Sequence, residues 1–192
     1  MTYARTKATS SQRHCVLNTV GSKVYVITGG PGSGKTATLE SLKKEGFHTV
    51  REVARIVIDK ELEKQSGTLP WKNMDDFQRK VMKRQLEVEA HLPRDEIVFL
   101  DRGLPDGLAY YRFHELKPPT ELLKSSRGRY AGVFLLDPLP NYVRNTVRRE
   151  DRSTSLRLHE LLSKVYIESG YEVTRIRGAS VEERVRLIKQ HL

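Results

Sequence analysis

Residues 29–36 read Gly29-Gly30-Pro31-Gly32-Ser33-Gly34-Lys35-Thr36 and fit the pattern Gly-x-x-x-x-Gly-Lys-Thr. A short β-branched and aromatic run, Val24-Tyr25-Val26-Ile27-Thr28, precedes them, and a segment from Lys35 to Glu45 that reads as a helix follows, stopping at Gly46. Few folds accommodate such a junction. Its glycines permit turns that aim several backbone N–H groups into one small volume and let the backbone approach an anion closely. The helix that follows adds the positive end of its dipole. A strand, glycine-rich loop and helix in this order form a phosphate-binding P-loop, in which Lys35 reaches the β- and γ-phosphates and the Thr36 hydroxyl ligates Mg²⁺. The whole octet is the expected nucleotide-binding loop, with ATP and Mg²⁺ as the expected ligands.

Beyond the loop, strands and helices alternate. Short apolar runs over 48–52, 96–101, 132–137 and 171–176 read as buried strands. Segments 53–65, 75–92, 104–116, 153–170 and 181–192 read as helices, with breaks at Gly67 to Pro70, Pro93 and Lys117-Pro118-Pro119. Five apolar strands separated by helices predict an α/β fold, a doubly wound parallel sheet with helices on both faces. Ligands of such sheets sit at the carboxyl ends of the strands, and Gly29, Glu52, Asp101 and Asp137 all fall at such ends.

Two strands end alike. Ile97-Val98-Phe99-Leu100-Asp101 and Val133-Phe134-Leu135-Leu136-Asp137 each bury four apolar residues and then release an aspartate. Beside a P-loop such a carboxylate holds Mg²⁺, usually through water. Asp101 is the expected metal-associated residue, because Arg102-Gly103 follows it at once, whereas Pro138 follows Asp137 and suggests a turn or cap. Glu52, after Arg51, could act on an attacking hydroxyl, or could cap the next helix. The arginine-rich stretch from Tyr142 to Arg152 could close over the γ-phosphate as a lid. Arg144 and Arg148 share a helical face there, with Arg152 one turn on. Tyr110, Tyr111 and Phe113 could line an acceptor pocket or pack in the core. His48, His91, His114, His159 and His191 show no metal spacing.

The 192 residues suit one domain, and the formal net charge of +10 favours anionic partners. No apolar run approaches the roughly 18 residues of a membrane span. The single cysteine, Cys15, excludes an intrachain disulfide and fits a reducing, cytoplasmic compartment. Residues 1–22 lack acidic residues, carry Arg5, Lys7 and Arg13, and read as a flexible basic tail before a domain over 23–192. An organelle transit peptide is the alternative for that tail.

With these residues placed, the chain resembles the P-loop kinase branch that holds nicotinamide-riboside-kinase-like and thymidylate-kinase-like proteins, and most of all its small AAA-domain or NadR-type ATP-binding proteins. The resemblance runs from about Lys23 to Leu192. It rests on Gly29 to Thr36, on Glu52 within Arg51-Glu52-Val53-Ala54-Arg55, on Asp101-Arg102-Gly103 followed by Asp106, on Arg144 to Arg152, and on Arg177-Gly178. It implies a sheet order of 2-3-1-4-5. It also implies that Asp101 and Arg102 serve Mg²⁺ and phosphate, that Glu52 acts on the acceptor hydroxyl, that Arg144, Arg148 and Arg152 belong to the lid, and that Arg177 and Gly178 border the adenine. Three functions are compatible with these residues. The leading expectation is a kinase moving the γ-phosphate of ATP onto a small nucleoside- or nucleotide-like acceptor. The others are a regulatory ATPase switch with a protein partner, and a nucleic-acid end kinase suggested by the basic charge.

Overall fold

The computed structural model describes residues 23–64, 67–139, 152–177 and 180–192. Five parallel strands form one sheet in the order β2-β3-β1-β4-β5. They are β1 (Val24–Thr28), β2 (His48–Val50), β3 (Val98–Asp101), β4 (Gly132–Leu136) and β5 (Val173–Ile176). Seven helices connect and cover them: α1 (Lys35–Lys44), α2 (Val53–Leu62), α3 (Met74–Glu89), α4 (Leu104–Phe113), α5 (Thr120–Ser125), α6 (Arg152–Glu168) and α7 (Val181–Lys189). The expected order 2-3-1-4-5 and the doubly wound layout are both present.

The two faces follow from the strand period of two. Ile27, Phe99, Phe134, Leu136 and Ile176 point to one face, where Leu39 and Leu42 of α1 and Val185 and Ile188 of α7 cover them. Val26, Val98, Leu100 and Val133 point to the other, against Tyr166 of α6 and Tyr130 and Tyr171. Leu135 joins Leu104, Leu108 and Tyr111 of α4 and Leu158, Leu162 and Val165 of α6 in the adjoining cluster. Tyr111 is core, fully buried, with its hydroxyl donating to Asp75 Oδ1 at 2.7 Å.

Two differences from the sequence expectation bear on the site. The β2 ladder ends at Val50, paired with Leu100, so Arg51 and Glu52 lie beyond it. Glu52 becomes the residue at the N-cap position of α2. Short α5 follows the Pro118-Pro119 break; with only six residues it has too little length for a readable period. No helix among the described residues is long and apolar enough to cross a membrane.

Candidate active site

The loop after β1 turns as its glycines allow. Gly34, with φ 82° and ψ 16°, occupies the left-handed region at the N-cap of α1, where a side chain would be strained. At Gly29 a Cβ would sit 2.7 Å from the Leu136 carbonyl oxygen, so the loop passes tightly under β4. Lys35 folds back into this cradle, and its Nζ donates to Gly29 O at 3.0 Å and Gly30 O at 3.1 Å. Burial above all, and the nearby charge of Arg102, lower its pKa to about 8. Thr36 is exposed on the first turn of α1.

α6 and α7 brace the loop from outside. Ser155 Oγ donates to Pro31 O at 3.0 Å, and the Gly30 N–H points at His159 Nδ1, 3.5 Å away. Arg184 donates to Ser33 O and to Asp137 O at 2.9 Å. Burial holds His159 below its ordinary pKa, against the opposing pull of Asp137. A neutral imidazole is the form that can accept the Gly30 N–H. Ser155, His159 and Arg184 come from helices far along the chain, and no spacing in the sequence announces them.

The two similar aspartates have opposite surroundings. Asp137 is tied down: its Oδ1 accepts from Arg175 Nε at 3.2 Å and Nη2 at 3.1 Å and lies 3.3 Å from His159 Nε2. Asp101 is 5% exposed, and its Oδ1 is buried without a hydrogen-bond partner. Burial first, and then Glu52, push its pKa up to about 6, although Lys35 and Arg102 oppose them. A buried carboxylate oxygen with no donor suits a cation. Among the described residues, no group of three or more His, Cys, Asp or Glu is placed to hold a metal. A nucleotide-borne Mg²⁺ needs no such cage, because it takes one or two protein ligands beside phosphate oxygens and water. Asp101 and the Thr36 hydroxyl therefore fit Mg²⁺.

Past Asp101 the chain turns sharply. Arg102 has φ 72°, a left-handed conformation that costs a non-glycine residue about 1–3 kcal/mol. Its guanidinium is buried and bridges two carboxylates, with Nε donating to Glu52 Oε1 at 2.8 Å and Nη1 to Asp106 Oδ1 at 2.8 Å. Asp106 is saturated. Thr28 Oγ1 also donates to its Oδ1 at 2.8 Å, and Oδ2 accepts from the Gly103 N–H at 3.1 Å and the Tyr166 hydroxyl at 2.5 Å. The Glu52 side chain makes no cap hydrogen bond. Burial would raise its pKa, but the charge and hydrogen bond of Arg102, with Lys35 and Arg55, outweigh it and hold the carboxyl below its ordinary value.

Glu52 and Arg102 line a cavity of about 380 Å³ walled by α2, α3, α4 and α5. Ile58, Met74, Phe77, Val81, Met82 and Leu122 give it apolar walls, and Trp71, Tyr110 and His114 also border it. Gln78 and Gln85 enter it from α3. Their signal was present in the sequence as two amides on the apolar stripe Met74, Phe77, Val81, Met82 of one helix. Of the expected lid and adenine residues, Arg152 is exposed at the start of α6. The Arg177 side chain is 80% exposed, with Nε 3.8 Å from Asp137 Oδ2. Arg144, Arg148 and Gly178 lie outside the described residues, as does the tail 1–22.

A sequence profile described as AAA domain matches residues 24–184. The chain belongs to this AAA-domain family. Among solved structures it is similar to a NadR protein in complex with NR, with a TM-score of 0.65 and 20% identity. That likeness covers 88% of this chain and 50% of the NadR chain, so the chain spans about half of that protein. It is similar over almost the full length of two others. A deoxyadenosine kinase from M. mycoides gives a TM-score of 0.59 at 14% identity, covering 88% of this chain and 97% of the kinase. A thymidylate kinase from Candida albicans gives 0.56 at 13% identity, covering 88% and 90%. At these identities the likeness shows the fold, that of P-loop kinases. No curated protein matches the chain.

Proposed function

We propose that this AAA-domain protein is a small-molecule kinase that transfers the γ-phosphate of ATP to a hydroxyl of a nucleoside- or nucleotide-like acceptor. The observation that carries the reading is the position of Glu52. It lies where an apolar cavity meets the P-loop edge of the sheet, and Arg102 orients it. A pure ATPase switch has no use for an oriented carboxylate lining a second, apolar pocket.

The loop 29–36 binds the triphosphate through its N–H groups and the α1 dipole. Lys35 exchanges the carbonyls of Gly29 and Gly30 for phosphate oxygens. Thr36 and Asp101 would hold Mg²⁺, which supplies charge neutralisation on the β- and γ-phosphates. The apolar cavity binds the acceptor and excludes water from it. Glu52 accepts a hydrogen bond from the acceptor hydroxyl and fixes its lone pair toward the γ-phosphorus. The acceptor oxygen bonds to that phosphorus as the bond to the β–γ bridging oxygen breaks. Its electron pair leaves with ADP, and the hydroxyl proton passes to Glu52. Arg144, Arg148 and Arg152 serve as lid residues in this reading, with Arg177 and Gly178 beside the adenine.

The test is an ATP-consumption assay over a panel of nucleosides, nucleotides and other small hydroxyl compounds, with calorimetric ATP titration of the wild type and Lys35→Ala. A kinase consumes ATP much faster with its acceptor, and Lys35→Ala abolishes productive binding or turnover. ATP binding with no stimulation by any compound would favour the regulatory switch.

A further inference from the structure

The turn that aims Arg102 at Glu52 is gripped by Tyr130, which does not line the acceptor cavity. Arg102 is strained, with φ 72°, and such a backbone persists only where its surroundings over-determine it. Its N–H donates to Ile27 O at 3.0 Å, and the Gly103 N–H donates to Asp106 Oδ2 at 3.1 Å. The Leu104 N–H donates to the Tyr130 hydroxyl at 2.9 Å. The Tyr130 ring lies so close to Gly103 that a Cβ there would sit 2.9 Å from it. Tyr130 is buried. Burial first, and then the Glu89 carboxylate, lift its hydroxyl well above its ordinary pKa, so the proton stays on the oxygen. That proton is donated to Glu89 Oε1 at 2.8 Å.

Glu89 is an acid in an unfavourable place. It is the last residue of α3, where the negative end of the helix dipole disfavours a carboxylate. Its side chain is only 5% exposed, and a buried charge is destabilising unless donors meet it. Three do so here. Arg129 Nε donates to Oε2 at 2.8 Å, and Gln85 Nε2 joins the Tyr130 hydroxyl at Oε1, at 2.9 Å. The same Gln85 nitrogen lies 3.5 Å from Arg102 O. Glu89 thus reaches the turn by two routes, through Tyr130 to Leu104 N and through Gln85 to Arg102 O. A helix end fixed for packing alone needs no buried ion pair, because apolar residues fill such a place with less penalty. A brace does need the carboxylate. It takes the Tyr130 proton's hydrogen bond and leaves the hydroxyl lone pairs to the Leu104 N–H.

Resting on the kinase reading above, we propose that Glu89 and Tyr130 are positioning residues for phosphoryl transfer. Their hydrogen-bonded pair braces the turn 102–104 and so keeps the Arg102 guanidinium on Glu52.

Tyr130→Phe keeps the ring against Gly103 and removes the hydroxyl that joins Glu89 to Leu104. Tyr171→Phe is its control. The Tyr171 hydroxyl likewise accepts a backbone N–H, that of Arg129 at 3.0 Å, but this bond lies outside the turn. Turnover is read with the nucleoside, nucleotide or other small hydroxyl compound that most stimulates ATP consumption. Hydrogen exchange over residues 101–108 is measured beside it. We expect Tyr130→Phe to speed exchange at Leu104. It should also lower the stimulated kcat about 10-fold or more with the ATP KM unchanged, since small misplacements away from the chemistry carry losses of that size. Tyr171→Phe should lose comparable thermal stability and keep both kcat and the exchange of the turn. Glu89→Leu reads the same brace from its other end and takes the place of Tyr130→Phe should that variant not fold. Glu89→Gln keeps an oxygen for the Tyr130 hydroxyl and should recover most of the kcat that Glu89→Leu loses. The double variant Tyr130→Phe with Glu89→Leu should fall no further than the worse single one, because both cut one link. A wild-type kcat in both single variants, or an equal loss in Tyr171→Phe, would overturn the proposal and leave the kinase reading intact. Unchanged exchange at Leu104 in both would overturn it whether or not any compound stimulates turnover. Faster exchange there, in a protein that no compound stimulates, would uphold the brace and sink the kinase reading instead.

Discussion

The Arg102 guanidinium, at the turn after β3, donates through Nε to Glu52 Oε1 at 2.8 Å, joining residues that are 50 apart in sequence. The pair keeps Glu52 ionised and aimed. An ionised carboxylate only accepts hydrogen bonds, so Glu52 can hold an acceptor hydroxyl with its proton turned away from the phosphorus. Its proton affinity is modest, so in the proposed reaction the proton would pass to it only as the phosphoryl bond forms.

Glu52→Gln therefore keeps the size and loses the charge. We expect kcat to fall about 10²–10⁴-fold, the range for a positioned general base, with ATP affinity nearly unchanged. The melting temperature should fall only modestly, because the glutamine amide oxygen can still accept from Arg102 Nε while the charge attraction of this part-exposed pair is lost. Acceptor-dependent turnover, ATP titration and thermal melting on one preparation check this. Normal turnover with a clearly lower melting temperature would make Glu52 a structural residue.

Asp106 supports the arrangement from below. It receives hydrogen bonds from Thr28, Arg102, Gly103 and Tyr166. Removing one partner of a buried charge pair costs about 3–5 kcal/mol, so Asp106→Ala should lose stability in that range. Tyr166→Phe deletes one bond to the same carboxylate and should cost about 1.5–3 kcal/mol. Urea denaturation of both variants decides the matter. A smaller loss for Asp106→Ala than for Tyr166→Phe would mean that Asp106 is not the hub.

Much of this was legible in the chain. The octet 29–36, the alternation of apolar runs and helical segments, and the sheet order implied by the resemblance all stand in the fold. Local signals carry such features. The reading of Glu52 left a helix cap and a catalytic carboxylate open, because both put an acid at the same position. Only the side-chain direction distinguishes them, and it follows from Arg102. Asp101 and Asp137 likewise end look-alike strands, yet Arg175, His159 and Arg184 reach Asp137 from β5, α6 and α7. Such partners are long-range in sequence and have no period. Gln78 lay unremarked in a segment that read only as a long charged helix, and its weak bond to Met74 is set by side-chain direction, which spacing does not specify.

Glu61 gives a pH-dependent prediction away from the site. Hydrogen bonds from Lys64 at 2.6 Å, Lys80 at 2.7 Å and the Thr68 N–H at 2.8 Å hold its carboxyl down at about 2. The ordinary value is 4.5. Its folded pKa lies below its unfolded one, so its contribution is full above about 4.5 and is lost as pH falls toward 2. Glu61→Gln should melt a few degrees below wild type at neutral pH, and the gap should narrow through that window. Thermal melts across the acid range test it; a gap that stays constant through the window would refute the linkage.

The two strand-end aspartates allow the sharpest comparison, because their variants should differ in opposite directions on two readouts. Asp101 Oδ1 is buried with no donor, so in the unliganded protein one oxygen of that carboxylate has only the nearby charges of Lys35 and Arg102 to offset its burial. Such a group is destabilising until a cation or proton meets it. Asp101→Asn removes the charge at nearly constant volume. It should leave the unliganded protein as stable as wild type or more so, and it should cut Mg²⁺-dependent turnover severely, about 10²-fold or more if the ion stabilises the transferring phosphoryl group. Asp137→Asn does the reverse. It breaks the charge pairing with Arg175 and the contact with His159, both near the outer side of the P-loop. Its stability should fall, while turnover measured below its melting temperature should change far less. Thermal melting without ligand and turnover against Mg²⁺ concentration, run on both variants, separate the roles. Equal losses of turnover, or a larger loss at Asp137, would move the metal site from β3 to β4. A destabilised Asp101→Asn protein would show that the carboxylate has a partner in solution and is not held open for a cation.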